Sequence, residues 1–136
     1  MEKIPAFVAV DLETTGLEFE KDEIIEVALV RFENGAPVEN VDYLVRPSSA
    51  KLRPFIESLT GISNSDIAGA EEFAGIAGKV SAFIGDMPLV AHNAAFDSRF
   101  LKSAMEQVGP RRSCCRRRLH QTRRQRTPHQ IPQQPI

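Results

Sequence analysis

Several residue types and patterns are missing from this chain, and each absence excludes a class of protein. Tryptophan is absent and tyrosine occurs once, so aliphatic residues and phenylalanine must form any core. The two cysteines, Cys114 and Cys115, are adjacent, which argues against a disulfide framework. No run of about 18 apolar residues exists to span a membrane, and the first residues lack a secretory pattern. We therefore expect a soluble cytoplasmic protein with a single domain.

Acidic residues are also missing from the last part of the chain. All 18 Asp and Glu lie at or before Glu106, where residues 1–110 combine them with 9 of the 17 Lys and Arg. Residues 111–136 contain the other 8, all arginine, and no acid. This change predicts a folded domain at 1–110 and an Arg-, Gln- and Pro-rich disordered tail at 111–136.

The order of predicted elements indicates an α/β fold with a mixed sheet. Asn34-Gly35 is typical of a tight hairpin turn, so the strands on either side of it should pair. Apolar residues then recur at helical spacing before Gly85 and again after Ala94. The predicted strands are 7–13, 24–32, 38–45 and 88–91, the first three forming an antiparallel meander, and the predicted helices are 63–67, 71–83 and 94–110.

Two carboxylates end the first predicted strand, in the motif Asp11-Leu12-Glu13. Side chains alternate along a strand, so Asp11 and Glu13 point to the same face, where they repel unless a cation or a proton is shared. Hard oxygen ligands suit Mg²⁺ or Mn²⁺, and the lack of Cys or His beside them argues against zinc. The alternative is a solvent-facing strand end with ordinary acids.

A second polar cluster, from His92 to Asp97, follows the strand at 88–91. Asp97 falls in the first turns of the next predicted helix, where the helix dipole favours an acid. If neighbouring strand ends meet, Asp97 can face the acids at the end of the first strand, and three carboxylates there make a two-metal site plausible. As an alternative, His92 and Asn93 simply cap the helix.

These motifs resemble those of the DEDD (DnaQ-like) 3′–5′ exonucleases, a family that includes the proofreading epsilon subunit of bacterial DNA polymerase III. The resemblance covers about residues 5–108. It implies a ribonuclease-H-like α/β fold and metal-dependent 3′–5′ hydrolysis of terminal phosphodiester bonds, in DNA replication or repair, on single-stranded DNA 3′ ends or on RNA. The segments that carry it are 11–16, 22–27, 59–62 and 92–97.

The same resemblance implies roles for individual residues. Asp11, Glu13 and Asp97 would be catalytic and would hold two Mg²⁺ or Mn²⁺ ions, with Asp11 between them. Stacking on Phe96 would suit an enzyme that accepts any base, although Phe96 and Ile62 can equally be core residues. The implied substrate contacts are Thr14, Thr15, Gly16, Leu17, Leu59, Thr60, Ile62, His92, Asn93 and Phe96.

One part of the family pattern has no counterpart in this chain. The family places a fourth carboxylate and a general base, a histidine or tyrosine followed by an aspartate, on a late helix. His120 and His129 are not followed by an acid, so neither takes that role. We therefore expect a C-terminally truncated or frameshifted exonuclease domain with weak or no activity, because acid–base catalysis contributes about 10² to 10⁴ in rate.

Three interpretations of residues 111–136 remain open. A shift of reading frame near residue 110 would explain the lost acids, periodicity and motif together. The segment can instead be an arginine-rich arm that binds nucleic acid. A zinc patch is the third, although adjacent cysteines do not match the usual ligand spacing; its ligands would be Cys114, Cys115, His120 and His129.

Two further functional alternatives stand beside the exonuclease. One is a non-catalytic nucleic-acid-binding module in which the three acids hold a structural metal. The other is a non-functional gene fragment. The parent protein can be a free-standing proofreading subunit, part of a DNA polymerase, or the exonuclease end of a helicase fusion.

Overall fold

A computed structural model of the chain describes residues 5–49 and 51–108. The predicted tail at 111–136 and its boundary at residue 110 lie outside the described residues. Four strands and four helices follow one another in the order β1 (Phe7–Thr14), β2 (Ile24–Glu33), β3 (Ala36–Leu44), α1 (Pro54–Thr60), α2 (Asn64–Ala68), α3 (Phe73–Ile84), β4 (Leu89–Val90) and α4 (Ala94–Val108).

The first three strands form the predicted antiparallel meander, which is confirmed. β2 and β3 are joined at Asn34 and Gly35, whose φ angles are 53° and 81°. Positive φ at both central residues defines a type I′ turn, which matches the right-handed twist of the two strands. The turn therefore fixes the pairing of Glu33 with Ala36 and the register that follows from it.

The short strand β4 completes the sheet on the other side of β1, in the order β3-β2-β1-β4. β4 runs parallel to β1, with Val8 opposite Leu89 and Ala9 opposite Val90. Because the two strands are parallel, the C-terminal end of β1 and the turn that leads into α4 meet at the same edge of the sheet. The mixed α/β sheet that we predicted is thus confirmed.

Alternation along β1 separates the core face of the sheet from the face that carries the acids. Val8, Val10 and Leu12 are buried, whereas the residues between them are half-buried. The buried set joins one apolar cluster with α3 and α4, including Ile76, Val80, Phe100, Leu101 and Met105. The two longest helices therefore cover one face of the sheet.

A second, smaller core holds α1 and α2 against the start of β2. Its buried members are Ile25, Leu52, Ile56, Ile62 and Ile67. The helix predicted at 63–67 is confirmed as α2, which begins with a reciprocal capping box between Ser63 and Asp66. α1 was not predicted, because Pro54 and Gly61 looked like loop residues. They are the helix start and a left-handed C-cap, with φ of 76° at Gly61.

α3 and the start of α4 agree with the predicted helices to within about two residues, and the predicted end of the last helix at residue 110 lies outside the described residues. α3 begins at Phe73 and ends before Gly85, whose φ of 54° stops it. Among the described residues, none of these helices combines the length and the apolar content that crossing a membrane requires.

Candidate active site

β1 carries two acids on one face at the C-terminal end of the strand. Asp11 and Glu13 are both half-buried and are separated by the buried Leu12. A register irregularity follows directly, between Glu13 and Thr14. Such irregularities commonly end regular pairing next to functional sites. The predicted shared orientation of the two acids is therefore the one found.

The start of α4 brings a third acid to the same place. The side-chain oxygen of Asn93 accepts a hydrogen bond from the Phe96 N–H at 3.4 Å, and the Asn93 carbonyl accepts one from the Asp97 N–H at 3.0 Å. Asn93 is thus the helix cap that one of our interpretations predicted. Asp97 is only 5% exposed, so the first turn of α4 presses a carboxyl group into the interior of the protein.

Burial and neighbouring charges shift the pKa values of the three acids. Burial, and then the charges of Asp11 and Glu13, raise the pKa of Asp97 from 3.8 to about 7, against a lowering by backbone hydrogen bonds. Burial also raises the pKa of Asp11, against a lowering by His92 and the backbone amide of Leu12. Burial and then Asp11 raise the pKa of Glu13. Burial is thus the main reason that each acid resists ionisation, and the charge of Asp11 adds to it at Glu13 and Asp97.

Two further acids, which the sequence analysis missed, extend this group across the sheet. Glu26 on β2 lies opposite Glu13 in the antiparallel register. Burial, a hydrogen bond with Asp42 and the nearby charges of Asp42, Glu13 and Asp11 raise the pKa of Glu26 from 4.5 to about 8. The sequence signal that could have identified Glu26 is its position as an acid between the apolar residues of β2.

The donor set at this edge consists of carboxylate oxygens, which is the chemistry that Mg²⁺ and Mn²⁺ prefer. A divalent cation would offset the burial that raises the three pKa values and the repulsion that adds to it at Glu13 and Asp97. As the side chains stand in residues 5–49 and 51–108, no three His, Cys, Asp or Glu groups are arranged to hold one metal ion. Asp11, Glu13 and Asp97 fit a cation by the chemistry of their oxygens, and their side chains would have to turn toward a common point to hold it.

The loop after β1 is built around one aspartate. The Asp22 carboxylate accepts hydrogen bonds from Thr15 Oγ1 at 3.2 Å and from the Glu18 N–H at 2.9 Å. Thr14 Oγ1 donates to the Gly16 carbonyl at 2.6 Å. A Cβ atom at Gly16 would collide with the Asp22 carboxylate. Glycine is therefore required there for the loop to close over Asp22.

A cleft of about 1060 Å³ runs from the end of β1 to α1. Its lining includes one of the site acids, Glu13, and most of the predicted substrate contacts: Thr14, Thr15, Gly16, Leu17, Leu59, Thr60 and Phe96. It also includes Arg53 and Phe55, to which the sequence analysis gave no role. Their exposure in the cleft, rather than any sequence motif, identifies these two residues as candidate substrate contacts.

The other predicted contacts, Ile62, His92 and Asn93, are not part of the cleft lining, and two of the contacts that do line it, Thr60 and Phe96, also pack in the interior. Ile62 is buried in the smaller core, as the core interpretation predicted. Thr60 is buried too, where its hydroxyl donates to the Ile56 carbonyl at 2.7 Å and accepts from the Ile62 N–H at 3.1 Å. Phe96 combines both roles, since it packs on Phe100 with ring centroids 4.8 Å apart and also lines the cleft. The exposed His92 acts electrostatically on the Asp11 carboxyl.

This chain is similar to parts of proteins that are far longer than it is. It is 39% identical over 103 residues to a PolC-type DNA polymerase III of Halalkalibacterium halodurans, covering 76% of this chain and 7% of that protein. It is 38% identical over 104 residues to the 3′–5′ exonuclease DinG of Bacillus subtilis, covering 76% of this chain and 11% of that one.

Solved structures agree on the fold. The structure of E. coli exonuclease I in complex with a dT13 oligonucleotide superimposes with a TM-score of 0.68 at 17% identity, over 77% of this chain and 24% of that one. The architecture is therefore the ribonuclease-H-like mixed α/β fold that we predicted. The pattern of the exonuclease family RNase_T matches residues 8–125 and so extends beyond the described residues. This chain belongs to the RNase_T exonuclease family, whose members include the DEDD-type 3′–5′ exonucleases that its motifs resemble.

Proposed function

We propose that this chain removes nucleotides from the 3′ end of single-stranded DNA by hydrolysing the terminal phosphodiester bond, with two Mg²⁺ or Mn²⁺ ions held by Asp11, Glu13 and Asp97. The observation that carries the proposal is the placement of three acids at one edge of the sheet. Asp11 and Glu13 lie on one face at the end of β1, and the buried Asp97 at the start of α4 is near enough for their charges to raise its pKa. Membership of an exonuclease family supports the same reaction.

Each part of the site has a task in this reaction. When bound, divalent cations supply an activated water and stabilise the charge that develops on the leaving 3′-oxygen. Asp11, Glu13 and Asp97 hold their negative charge at one place and so position that chemistry. The loop from Thr14 to Leu17 lies beside Glu13 in the cleft, where its backbone and side chains would hold the terminal nucleotide against the acids.

DNA is the proposed substrate because of the relatives. One is a DNA polymerase III and another a 3′–5′ exonuclease. This chain spans 7% and 11% of their lengths, so its substrate and its partners are proposals. In a parent protein, a polymerase or helicase would deliver the single strand, and RNA is the competing substrate.

We also propose that the chain, in the sequence as it stands, works slowly. No Asp or Glu follows Glu106, so a fourth carboxylate and a partnered histidine base are missing from this sequence. Loss of general base catalysis alone reduces a rate by about 10² to 10⁴. The expected phenotype is residual, strictly metal-dependent activity rather than efficient degradation.

The test is Mn²⁺-dependent release of nucleotides from a 3′-labelled single-stranded DNA oligonucleotide. We expect slow release by the wild-type chain, none by Asp11→Ala, and unchanged release by Glu106→Ala, which removes an exposed acid of α4 away from the cluster. Comparing the rate of release from this DNA with the rate from an RNA oligonucleotide of the same length shows which of the two is the preferred substrate. Equal release by wild type and Asp11→Ala would disprove the proposed site, and binding without release would identify a non-catalytic module.

A further inference from the structure

Large exposed apolar side chains are concentrated in one place on the described surface. Of the four such residues in the described part of the chain, Leu17, Phe55 and Leu59 line the same cleft, with exposures of 83%, 69% and 66%. The fourth, Val38, lies on β3 outside it. Exposed apolar clusters of this kind mark sites where a ligand or partner is bound.

α1 presents two of these side chains together. Phe55 and Leu59 are four residues apart on one helix and so lie on the same face, one turn from each other. Leu17 approaches from the loop after β1. Arg53 ties the two elements together, because its guanidinium donates a hydrogen bond to the Thr15 carbonyl at 3.2 Å. We refer to Leu17, Phe55 and Leu59 as the apolar platform.

Cations and acids both line the cleft around the apolar platform, and three of the four acids, Glu18, Asp22 and Glu23, are already in ion pairs or hydrogen bonds. Lys51 and Arg53 are exposed and line the cleft. Asp22 accepts hydrogen bonds within its own loop, and Glu23 accepts from the backbone and hydroxyl of Ser48. Positive charge beside an aromatic face is the combination that binds single-stranded nucleic acid, since cations contact phosphates while bases stack.

The size of the cleft and its continuity with the acid cluster indicate where along the strand this surface acts. A pocket for one drug-sized ligand has roughly 300–1,000 Å³, and the cleft is about 1060 Å³ and open at the surface. Glu13 lies at one end of it. A DNA strand whose 3′ terminus reaches the acids has room for further nucleotides along the apolar platform.

We infer that the apolar platform, with Phe55 as its stacking residue, binds the bases of nucleotides upstream of the 3′-terminal one, and that Lys51 and Arg53 contact their phosphates. This inference rests on the proposed function, because it assumes that the 3′ end lies at Asp11, Glu13 and Asp97. If the inference holds, the affinity for DNA increases with strand length. If only the acids bound DNA, the last phosphodiester bond would be enough and length would have no effect.

The experiment measures binding of 5′-labelled oligothymidylates of two, four and eight nucleotides by fluorescence anisotropy, in EDTA so that metal-dependent hydrolysis does not shorten them. We expect affinity to rise with length for the wild-type chain. Phe55→Ala should weaken binding of the eight-nucleotide strand roughly 5- to 100-fold, as loss of a stacked base does, with less than about a twofold change for the dinucleotide. Phe55→Trp should retain binding.

Matched controls separate the apolar platform from general effects. Val38→Ala removes an exposed apolar side chain elsewhere and should change nothing. Lys51→Ala should reduce the slope of log K against log salt by about 0.7, as loss of one phosphate contact on a single strand does. Lys102→Ala, an exposed lysine of α4 outside the cleft, should leave the slope unchanged.

Failure of this inference and failure of the proposed function give different results. Nucleotide release with equal binding by wild type and Phe55→Ala would overturn the apolar platform and leave the exonuclease. Phe55-dependent binding without any release would do the opposite. No binding of any oligonucleotide, or a dimer of the chain that Phe55→Ala dissociates, would also overturn the inference, the latter by identifying a second copy as the occupant.

Discussion

Glu26 on β2 lies directly opposite Glu13 on β1, so two acids face each other across neighbouring strands. Like charges in this position destabilise a sheet. The conflict is reduced because the pKa of Glu26 is about 8, owing first to burial and then to its hydrogen bond with Asp42. The raised pKa favours the protonated form of Glu26, which weakens its repulsion with Glu13.

The raised pKa values predict that the metal-free protein loses stability as the pH rises. The pKa of Asp97 is about 7 in the folded chain and near its ordinary 3.8 when unfolded. Between these values the folded state binds more protons, so the contribution of Asp97 to the free energy of unfolding falls with increasing pH and is lost above about pH 7, while that of Glu26 continues to fall to about pH 8. In Asp97→Asn the free energy of unfolding should fall less over this pH range than in the wild type, by at most a few kcal/mol. Melting temperatures in EDTA from pH 4 to 8 test this, and identical slopes would contradict it.

Divalent cations should reverse that loss, if the proposed site holds them. Binding to the folded state alone raises stability by RT ln(1 + [L]/Kd), about 2.7 kcal/mol when the ion is at 100 times its Kd. Ligands must be ionised, so the increase should be larger at pH 8 than at pH 6. Thermal melts with and without Mn²⁺ measure it. Asp97→Ala should lose the increase and Glu106→Ala should keep it; an equal increase in both variants would refute the assignment.

Gly16→Ala should disrupt the loop beside the acids. The new methyl group would displace the Asp22 carboxylate and so break its hydrogen bonds to Thr15 and Glu18. We expect a loss of roughly 1–3 kcal/mol in the free energy of unfolding, as for other broken part-buried hydrogen bonds, together with weaker DNA binding. Urea denaturation measures the first. Gly69→Ala is the matched control, because its Cβ has open space.

The hairpin turn provides a test of the fold that is independent of the site. Gly35 has a φ of 81°, which a residue with a Cβ adopts only with strain. Gly35→Ala should destabilise the chain by about 1 kcal/mol, while Asn34→Gly, at a φ of 53°, should be tolerated. A melting temperature for Gly35→Ala equal to that of the wild type would show that the turn does not govern the β2–β3 register.

Local patterns predicted the parts of this fold that depend on neighbours in sequence. The alternation of β1 placed Asp11 and Glu13 on one face, and Asn34-Gly35 placed the hairpin. α1 was missed because a start signal and a stop signal seven residues apart resemble a loop. The helical spacing of apolar residues before Gly85 was enough to predict α3, since the buried residues of this helix recur every three or four positions.

Long-range pairing was beyond the reach of such patterns. Nothing in the residues alone shows that β4 is parallel to β1, so the expectation that Asp97 joins the first two acids depended on the assumption that neighbouring strand ends meet. The opposition of Glu26 and Glu13 depends on the β1–β2 register, which no tight turn specifies. Phe55 stood out only when its exposure beside the cleft was known.

The sheet order also bears on the sequence of events during folding. β1, β2 and β3 are consecutive and can pair through short connections, whereas β1 and β4 pair Val8 with Leu89, about 80 residues apart. Closing a long segment is entropically slow compared with closing a hairpin. The step that delivers Asp97 to the other acids therefore comes late, and it brings like charges together. A cation present at that moment would favour the final collapse, so we expect the rate of refolding to depend on divalent ions.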